Sequence, residues 1–252
     1  MGMNKVNYGG LVISTIDWRG LNSLVVFLRG CPLRCLYCQN YRLFKQPNYV
    51  SVNEVKNQIE KELDFIDAII FSGGEPTLKE EFIEKIGEWM HRENKIVGIQ
   101  TNGYFPSSVE KLLKSKVLDK VFLDVKAPLE NVPLWFKLTQ VSNVERFVQN
   151  TLSLCINLNT SLQIQTTVFK GLVGEEEVFQ IAEELDNLEF REEYVIQQGI
   201  WENVPPYGRK LIKKEDEYTP EEIDKIGKEI DKRYPFPVYV RTREGEKLID
   251  DS

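Results

Sequence analysis

A chain of 252 residues and 29.3 kDa is long enough to bury a sizeable core and short enough to form one domain, so a single domain over 1–252 is expected. Its hydrophobic fraction of 42% and charged fraction of 28% are those of an ordinary folded protein, and nothing of low complexity argues for disorder. A net charge of −7 disfavours non-specific attachment to a phosphate backbone, no apolar run approaches the ~20 residues of a membrane span, and the start Met1-Gly2-Met3-Asn4-Lys5 lacks the apolar centre of a signal peptide. The expected location is the cytoplasm, with nucleic acid not the leading partner.

In chain order, 10–16 reads as a short opening strand. Runs rich in β-branched and aromatic residues follow at 23–29, 68–72, 96–101, 121–126, 162–169 and 194–199. Between them, Val52, Val55, Ile59 and Leu63 share one helical face, as do Phe82, Ile86, Trp89 and Met90, and then Val178, Ile181, Leu185 and Leu188. Ser51 with Glu54 has the pattern of a capping box. Thr219, Pro220 and Glu222 announce a last helix running to about Lys232, and 238–241 closes as a terminal strand. This alternation predicts an α/β fold in which six βα units curl into a partial (βα)6 TIM-like barrel, six being too few to close it. The core barrel is expected over about 20–200, with a C-terminal extension over 201–252 and the chemistry at the C-terminal ends of the strands.

Three of the four cysteines stand in Gly30-Cys31-Pro32-Leu33-Arg34-Cys35-Leu36-Tyr37-Cys38-Gln39-Asn40, directly after the first of the six strands. A 4Fe-4S cube normally takes four thiolates, so C-x3-C-x2-C from one loop leaves an iron open to a small-molecule chelate. The competing reading is a zinc site in an interaction module, which needs a fourth nitrogen or sulfur ligand. His91 and Cys155 lack ligand spacing for it, and Cys155 reads as a small core residue among Leu152, Leu154, Ile156 and Leu158. Further along, Phe71-Ser72-Gly73-Gly74-Glu75-Pro76, Gln100-Thr101-Asn102-Gly103 and Leu123-Asp124-Val125-Lys126 each end a strand. Glycines permit close backbone approach and a buried acid can neutralise an ammonium, although a plain turn with Glu75 starting a helix would look the same. Asp124 and Lys126, two apart on a strand, point to one face, and buried charges there must find partners of opposite sign, most simply each other.

With Tyr37 just before the last cysteine, the cysteine motif resembles that of the radical SAM superfamily, and the later turns extend the resemblance. What it implies is reductive cleavage of S-adenosylmethionine at a 4Fe-4S cluster to a 5′-deoxyadenosyl radical. Cys31, Cys35 and Cys38 would hold the cluster. Tyr37, Gly73, Gly74, Glu75, Thr101, Asn102, Asp124 and Lys126 would contact the cofactor, Glu75 at its amino group and Lys126 at its carboxylate. Ser14 to Gly20, Cys-Pro-Leu-Arg-Cys, Gly-Gly-Glu-Pro-Thr, Thr-Asn-Gly and Asp-Val-Lys-Ala-Pro are similar to those of glycyl radical enzyme activases, of the anaerobic ribonucleoside-triphosphate reductase and pyruvate formate-lyase types. That branch implies a glycyl radical enzyme as partner, a flavodoxin or ferredoxin as electron donor, and anaerobic working conditions.

The chain departs from the pattern at Asp17-Trp18-Arg19-Gly20, where activases often have Asp-Gly-Pro-Gly. Gln100 stands where some relatives carry an acid that helps hold a cation, and the run Gln163-Ile164-Gln165-Thr166-Thr167-Val168 lacks the arginine of several relatives. The alternative within the superfamily is direct action on a metabolite, RNA or peptide, in a pocket built from Gln197, Gln198 and Trp201 or under a lid at 204–214. For that last segment a solvated loop is the plainer expectation.

Overall fold

The computed structural model describes residues 4–44 and 46–250. The opening Met1, Gly2 and Met3, part of the segment read for a signal peptide, lie outside the described residues. Among the described residues no helix is long and apolar enough to cross a membrane. The chain forms two compact units. One comprises the chain up to Pro32 with Asn40–Phe122, the other Leu33–Gln39 with Leu123 onward.

In the first unit β2 (Ser23–Leu28), β4 (Ala68–Gly73) and β5 (Ile96–Thr101) are parallel and in register, Leu24 beside Ile69 and Ile69 beside Val97. Their near-continuous apolar sequences suit strands covered on both faces, and Leu24, Val26, Ile69 and Ile70 are fully buried. β1 (Lys5–Ser14) runs antiparallel to β2 and carries β3 (Tyr49–Ser51) on its other side. α1 (Val52–Glu60) starts where Ser51 accepts the Glu54 N–H, and it buries Val52, Val55 and Ile59. It stops before Leu63, which the periodicity assigns to its face but which opens a 3₁₀ turn. α2 (Glu80–Arg92) buries Phe82, Ile83, Ile86, Trp89 and Met90, and α3 (Pro106–Lys114) follows β5.

A tryptophan fills the other face of these strands. Trp18 meets Phe122 edge to face at 5.4 Å, within a cluster that includes Val25 and Ile70. A Cβ on Gly98 would come 2.9 Å from its ring, so β5 needs a glycine at that point.

In the second unit β7 (Leu162–Val168), β8 (Glu193–Gln198) and β9 (Val238–Thr242) are parallel, and β10 (Gly245–Leu248) returns antiparallel to β9. α4 (Val132–Thr139), α5 (Val144–Asn157), α6 (Glu175–Asn187) and α7 (Pro220–Asp231) accompany them. Thr219 and Glu222 form the expected capping box of α7. Cys155 is fully buried on α5, where burial pushes its thiol up to about 12, as fits a core residue. The remaining strand, β6 (Lys120–Asp124), ends two residues before Lys126, so Asp124 closes the strand and Lys126 lies beyond it.

Observed strands start and stop within one or two residues of the sequence reading, except β1, which begins five residues earlier. α3, α4, α5, β3 and β10 are additional to that reading.

Candidate active site

In the first unit β2 and β4 run side by side, with Leu28 in register with Gly73, so the loop to Cys31 and the Gly-Gly-Glu turn leave the sheet together. The Gly74 N–H donates to the Leu28 carbonyl at 2.7 Å and the Glu75 N–H to the Gly30 carbonyl at 2.8 Å. A Cβ on Gly74 would lie 2.1 Å from the Gly30 oxygen, and one on Gly73, whose φ is +113°, would lie 2.4 Å from the Leu28 oxygen. The close approach that these glycines permit is therefore made by the chain itself, against the residues leading into Cys31. Asn40, just past the last cysteine, donates its side-chain amide to the Gly73 carbonyl at 2.9 Å.

Glu75 is completely buried and fully engaged. One carboxylate oxygen accepts from the Thr77 N–H, the Thr77 hydroxyl and the Thr101 hydroxyl, and the other accepts from the Asn102 N–H at 2.8 Å. Burial raises its pKa, and these four donors act against that rise. Glu75 thus ties the turn after β4 to the turn after β5. Asn102, fixed in that way, directs its side-chain N–H at the Cys31 sulfur, 3.5 Å away.

Gln100, the departure at the end of β5, bridges two neighbours. Its amide N–H donates to Asp17 at 2.8 Å and its oxygen accepts from Ser72 at 2.6 Å, while Asp17 also accepts from Ser14. A neutral amide at this place joins the 14–17 segment to β4 and β5.

The second unit holds Cys35 and Cys38. Their loop hangs on the end of α4, with the Arg34 and Leu36 N–H groups donating to the carbonyls of Thr139 and Leu138 at 2.9 Å each. Lys126 and Asp124 pair with each other at 2.8 Å, the lysine side chain 9% exposed and the aspartate 44%. Burial alone would depress Lys126, yet the charges of Asp124 and Cys35 hold it well above its ordinary value. Burial likewise raises the Cys35 thiol, and Lys126 counteracts it. Tyr37 places its ring 6.0 Å from the Lys126 ammonium, and its buried hydroxyl has no hydrogen-bond partner.

Behind this loop stands a segment whose part the sequence reading missed. Val204, Pro205, Gly208 and Ile212 are buried and anchor the 204–214 segment, while Pro206, Tyr207, Lys210, Leu211, Lys213 and Lys214 are exposed as a solvated loop would have them. The Tyr207 hydroxyl donates to the Cys35 carbonyl at 3.2 Å, and a Cβ on Gly208 would fall 1.8 Å from the Leu36 oxygen. Arg209 locks the segment by stacking on Trp201 and donating to the carbonyls of Val204 and Glu202. Gln198 donates to the Tyr218 carbonyl and accepts from the Arg243 N–H, and Trp201 donates to the Ile212 carbonyl. Both are bound into this architecture.

These surroundings fit a cluster with an open iron. An amide N–H points at the Cys31 sulfur, Lys126 partly offsets the rise that burial imposes on the Cys35 thiol, and hydrogen bonds to cluster sulfurs set potentials. Among the described residues no three His, Cys, Asp or Glu side chains converge to hold one metal ion.

A protein of Methanocaldococcus jannaschii, provisionally named a glycyl-radical enzyme activating enzyme, is 31% identical over 244 residues, 96% of this chain and 98% of its own. The pyruvate formate-lyase-activating enzyme of Staphylococcus aureus is 37% identical over 81 residues, 29% of this chain and 32% of its own. Among solved structures, TYW1 with a lysine-pyruvate adduct bound superposes with a TM-score of 0.63 at 17% identity, covering 92% of this chain and 78% of the other. Native anSMEcpe with bound AdoMet gives 0.61 at 20% identity, covering 81% and 57%. These likenesses give the fold as the expected partial βα barrel. The sequence model of the Radical SAM superfamily matches residues 25–185, a span that contains the C-x3-C-x2-C loop and all three later turns, and the chain belongs to that superfamily.

Proposed function

We propose that this chain activates a glycyl radical enzyme by taking a hydrogen atom from a backbone glycine of that partner. The observation that carries the reading is the 31% identity to the Methanocaldococcus jannaschii protein over nearly the whole of both chains. Cys31, Cys35 and Cys38 would hold a 4Fe-4S cluster, with S-adenosylmethionine as the second cofactor. When bound, the pair would supply a 5′-deoxyadenosyl radical by one-electron reductive cleavage of S-adenosylmethionine to methionine, for abstraction of the glycine hydrogen.

The chain's own groups do the positioning. Lys126, kept charged by Asp124, suits the methionine carboxylate, and the ring of Tyr37 covers that lysine. The turn at Gly73 and Gly74 is offered to the amino end of the cofactor, while Glu75, completely buried and taken up by Thr77, Thr101 and Asn102, braces the latter two behind Cys31. The electron comes from a low-potential donor such as a flavodoxin or ferredoxin. The partner is of the anaerobic ribonucleotide reductase or pyruvate formate-lyase type.

The test mixes anaerobically reconstituted protein, reductant and S-adenosylmethionine with candidate glycyl radical enzymes and follows electron paramagnetic resonance. A glycyl radical doublet is expected with one of them, together with one 5′-deoxyadenosine per radical. Silence with every candidate, while a metabolite or RNA stimulates 5′-deoxyadenosine release, would assign the chain to direct modification instead.

A further inference from the structure

In the first unit, Asn102 directly follows β5 and is only 6% exposed. Its backbone is held by Glu75, whose carboxylate accepts the Asn102 N–H at 2.8 Å and the Thr101 hydroxyl at 2.7 Å. Gly103 continues the turn with a φ of +72°, a conformation that favours glycine, and its N–H donates to the Thr101 hydroxyl at 3.1 Å. Residues on either side of the asparagine are thus anchored, and its side chain leaves a fixed backbone.

That side chain has one orientation open to it. Its oxygen accepts from the Tyr104 N–H at 3.0 Å, the turn that an asparagine makes with its own backbone two residues on. Only the oxygen of an amide can meet an N–H, so the nitrogen must lie at the other end, and there it stands 3.5 Å from the Cys31 sulfur. An asparagine flipped end for end would set N–H against N–H at Tyr104 and an oxygen against the sulfur. A plain asparagine turn needs only the Tyr104 bond. Here Glu75 and Tyr104 together keep one neutral donor trained on one of the three thiols of the motif. The family resemblance places Asn102 at S-adenosylmethionine; in this chain its amide also serves a protein sulfur.

We propose that Asn102 sets the reduction potential of the cluster, its amide N–H stabilising the negative charge that the Cys31 thiolate shares once an electron has been accepted. Hydrogen bonds to ligand sulfurs are among the features that fix cluster potentials, and an N–H directed at a thiolate is stronger than one between neutral groups. The donor makes the cluster easier to reduce. Glu75 is then a positioning residue, acting on the cluster through Asn102. The inference rests on the cluster of the proposed function and is independent of which partner is activated.

The experiment compares reconstituted wild type with Asn102→Ser and Asn102→Asp by potentiometry followed with electron paramagnetic resonance, in the absence of S-adenosylmethionine so that contacts to it do not contribute. Serine keeps an oxygen for the Tyr104 N–H and has no amide to offer the sulfur. Aspartate keeps the shape and that oxygen, and turns a second, charged oxygen on the sulfur. Both are expected to lower the midpoint. At a potential poised on the wild-type midpoint, the ratio of reduced to oxidised cluster should fall at least threefold for serine and at least tenfold for aspartate, the latter a shift of about 59 mV for a one-electron couple. Midpoints equal to or above wild type in both variants overturn the assignment while the cluster stands. A serine variant that retains no iron overturns it too, since Asn102 would then serve to hold the cluster rather than to tune it. A wild type that binds no cluster removes the proposed function itself.

Discussion

Replacing Cys35 with alanine is expected to leave a folded, colourless protein that forms no detectable 5′-deoxyadenosine, a loss of more than about a hundredfold, because a nucleophile or ligand acting as one of a set cannot be partly removed. The fold should survive for a local reason. Cys35 is 8% exposed in a loop whose neighbours Arg34 and Leu36 are hydrogen-bonded to the end of α4, and those bonds do not involve its sulfur. Removing one sulfur atom from such a site costs the apoprotein about 1 kcal/mol, at the low end for deleting buried atoms. Iron and sulfide content after reconstitution, a thermal melt of the apoprotein, and chromatographic measurement of 5′-deoxyadenosine check the three parts. A brown Cys35→Ala protein with wild-type turnover would show that this thiol is not a ligand.

Gly208→Ala is expected to have nearly as large an effect from a residue with no chemistry of its own. The added methyl would sit 1.8 Å from the Leu36 oxygen, so either the 204–212 segment or the cysteine loop must move. The segment cannot yield cheaply, since Val204 and Ile212 are buried on either side and Arg209 is stacked on Trp201. Overpacking of this kind costs about 1–3 kcal/mol, and here the displaced atoms include the backbone between two cysteines. A lowered apoprotein melting temperature together with less than half the wild-type iron after reconstitution is the expected outcome. Full iron loading with an unchanged melt would mean that the segment merely lies near the loop. Tyr207→Phe removes only the hydroxyl that reaches the Cys35 carbonyl and should give a smaller change in the same direction.

The parts of this molecule that are local in sequence could be read from it, and those that depend on distant partners could not. The cysteine spacing is one short loop, β2, β4 and β5 are compact apolar runs, and β7 and β8 are short runs rich in β-branched and aromatic residues, so their identity hardly depends on their neighbours. Asp124 and Lys126 pair as their two-residue spacing suggested, although Lys126 lies beyond the end of β6 and the Asp124 side chain is 44% exposed, so a shared strand face and two buried charges were not the reason. Glu75, by contrast, takes its partners from 26 and 27 residues further along, and the same sequence in a plain turn would look no different. Tyr207 lies 172 residues from Cys35, and a segment containing Pro205, Pro206 and a run of basic residues reads as a surface loop until Gly208 is seen against Leu36. β10, with the sequence GEKL, has neither apolar alternation nor β-branched residues, and it exists because β9 offers it an edge. α4 did leave a signal in Asn131 and Pro133, an N-cap and a proline in the first turn, but its eight residues show too little period to stand out.

All of this turns on one vacant iron corner meeting the methionine end of the cofactor. Electron–nuclear double resonance on the reduced cluster, with S-adenosylmethionine labelled at the amino nitrogen and the carboxylate oxygens, looks at that contact directly. Strong hyperfine coupling to both labels is the predicted result, weakened or altered at the carboxylate in Lys126→Met. A reduced cluster whose spectrum carries neither coupling, with the cofactor present in excess, would contradict the account.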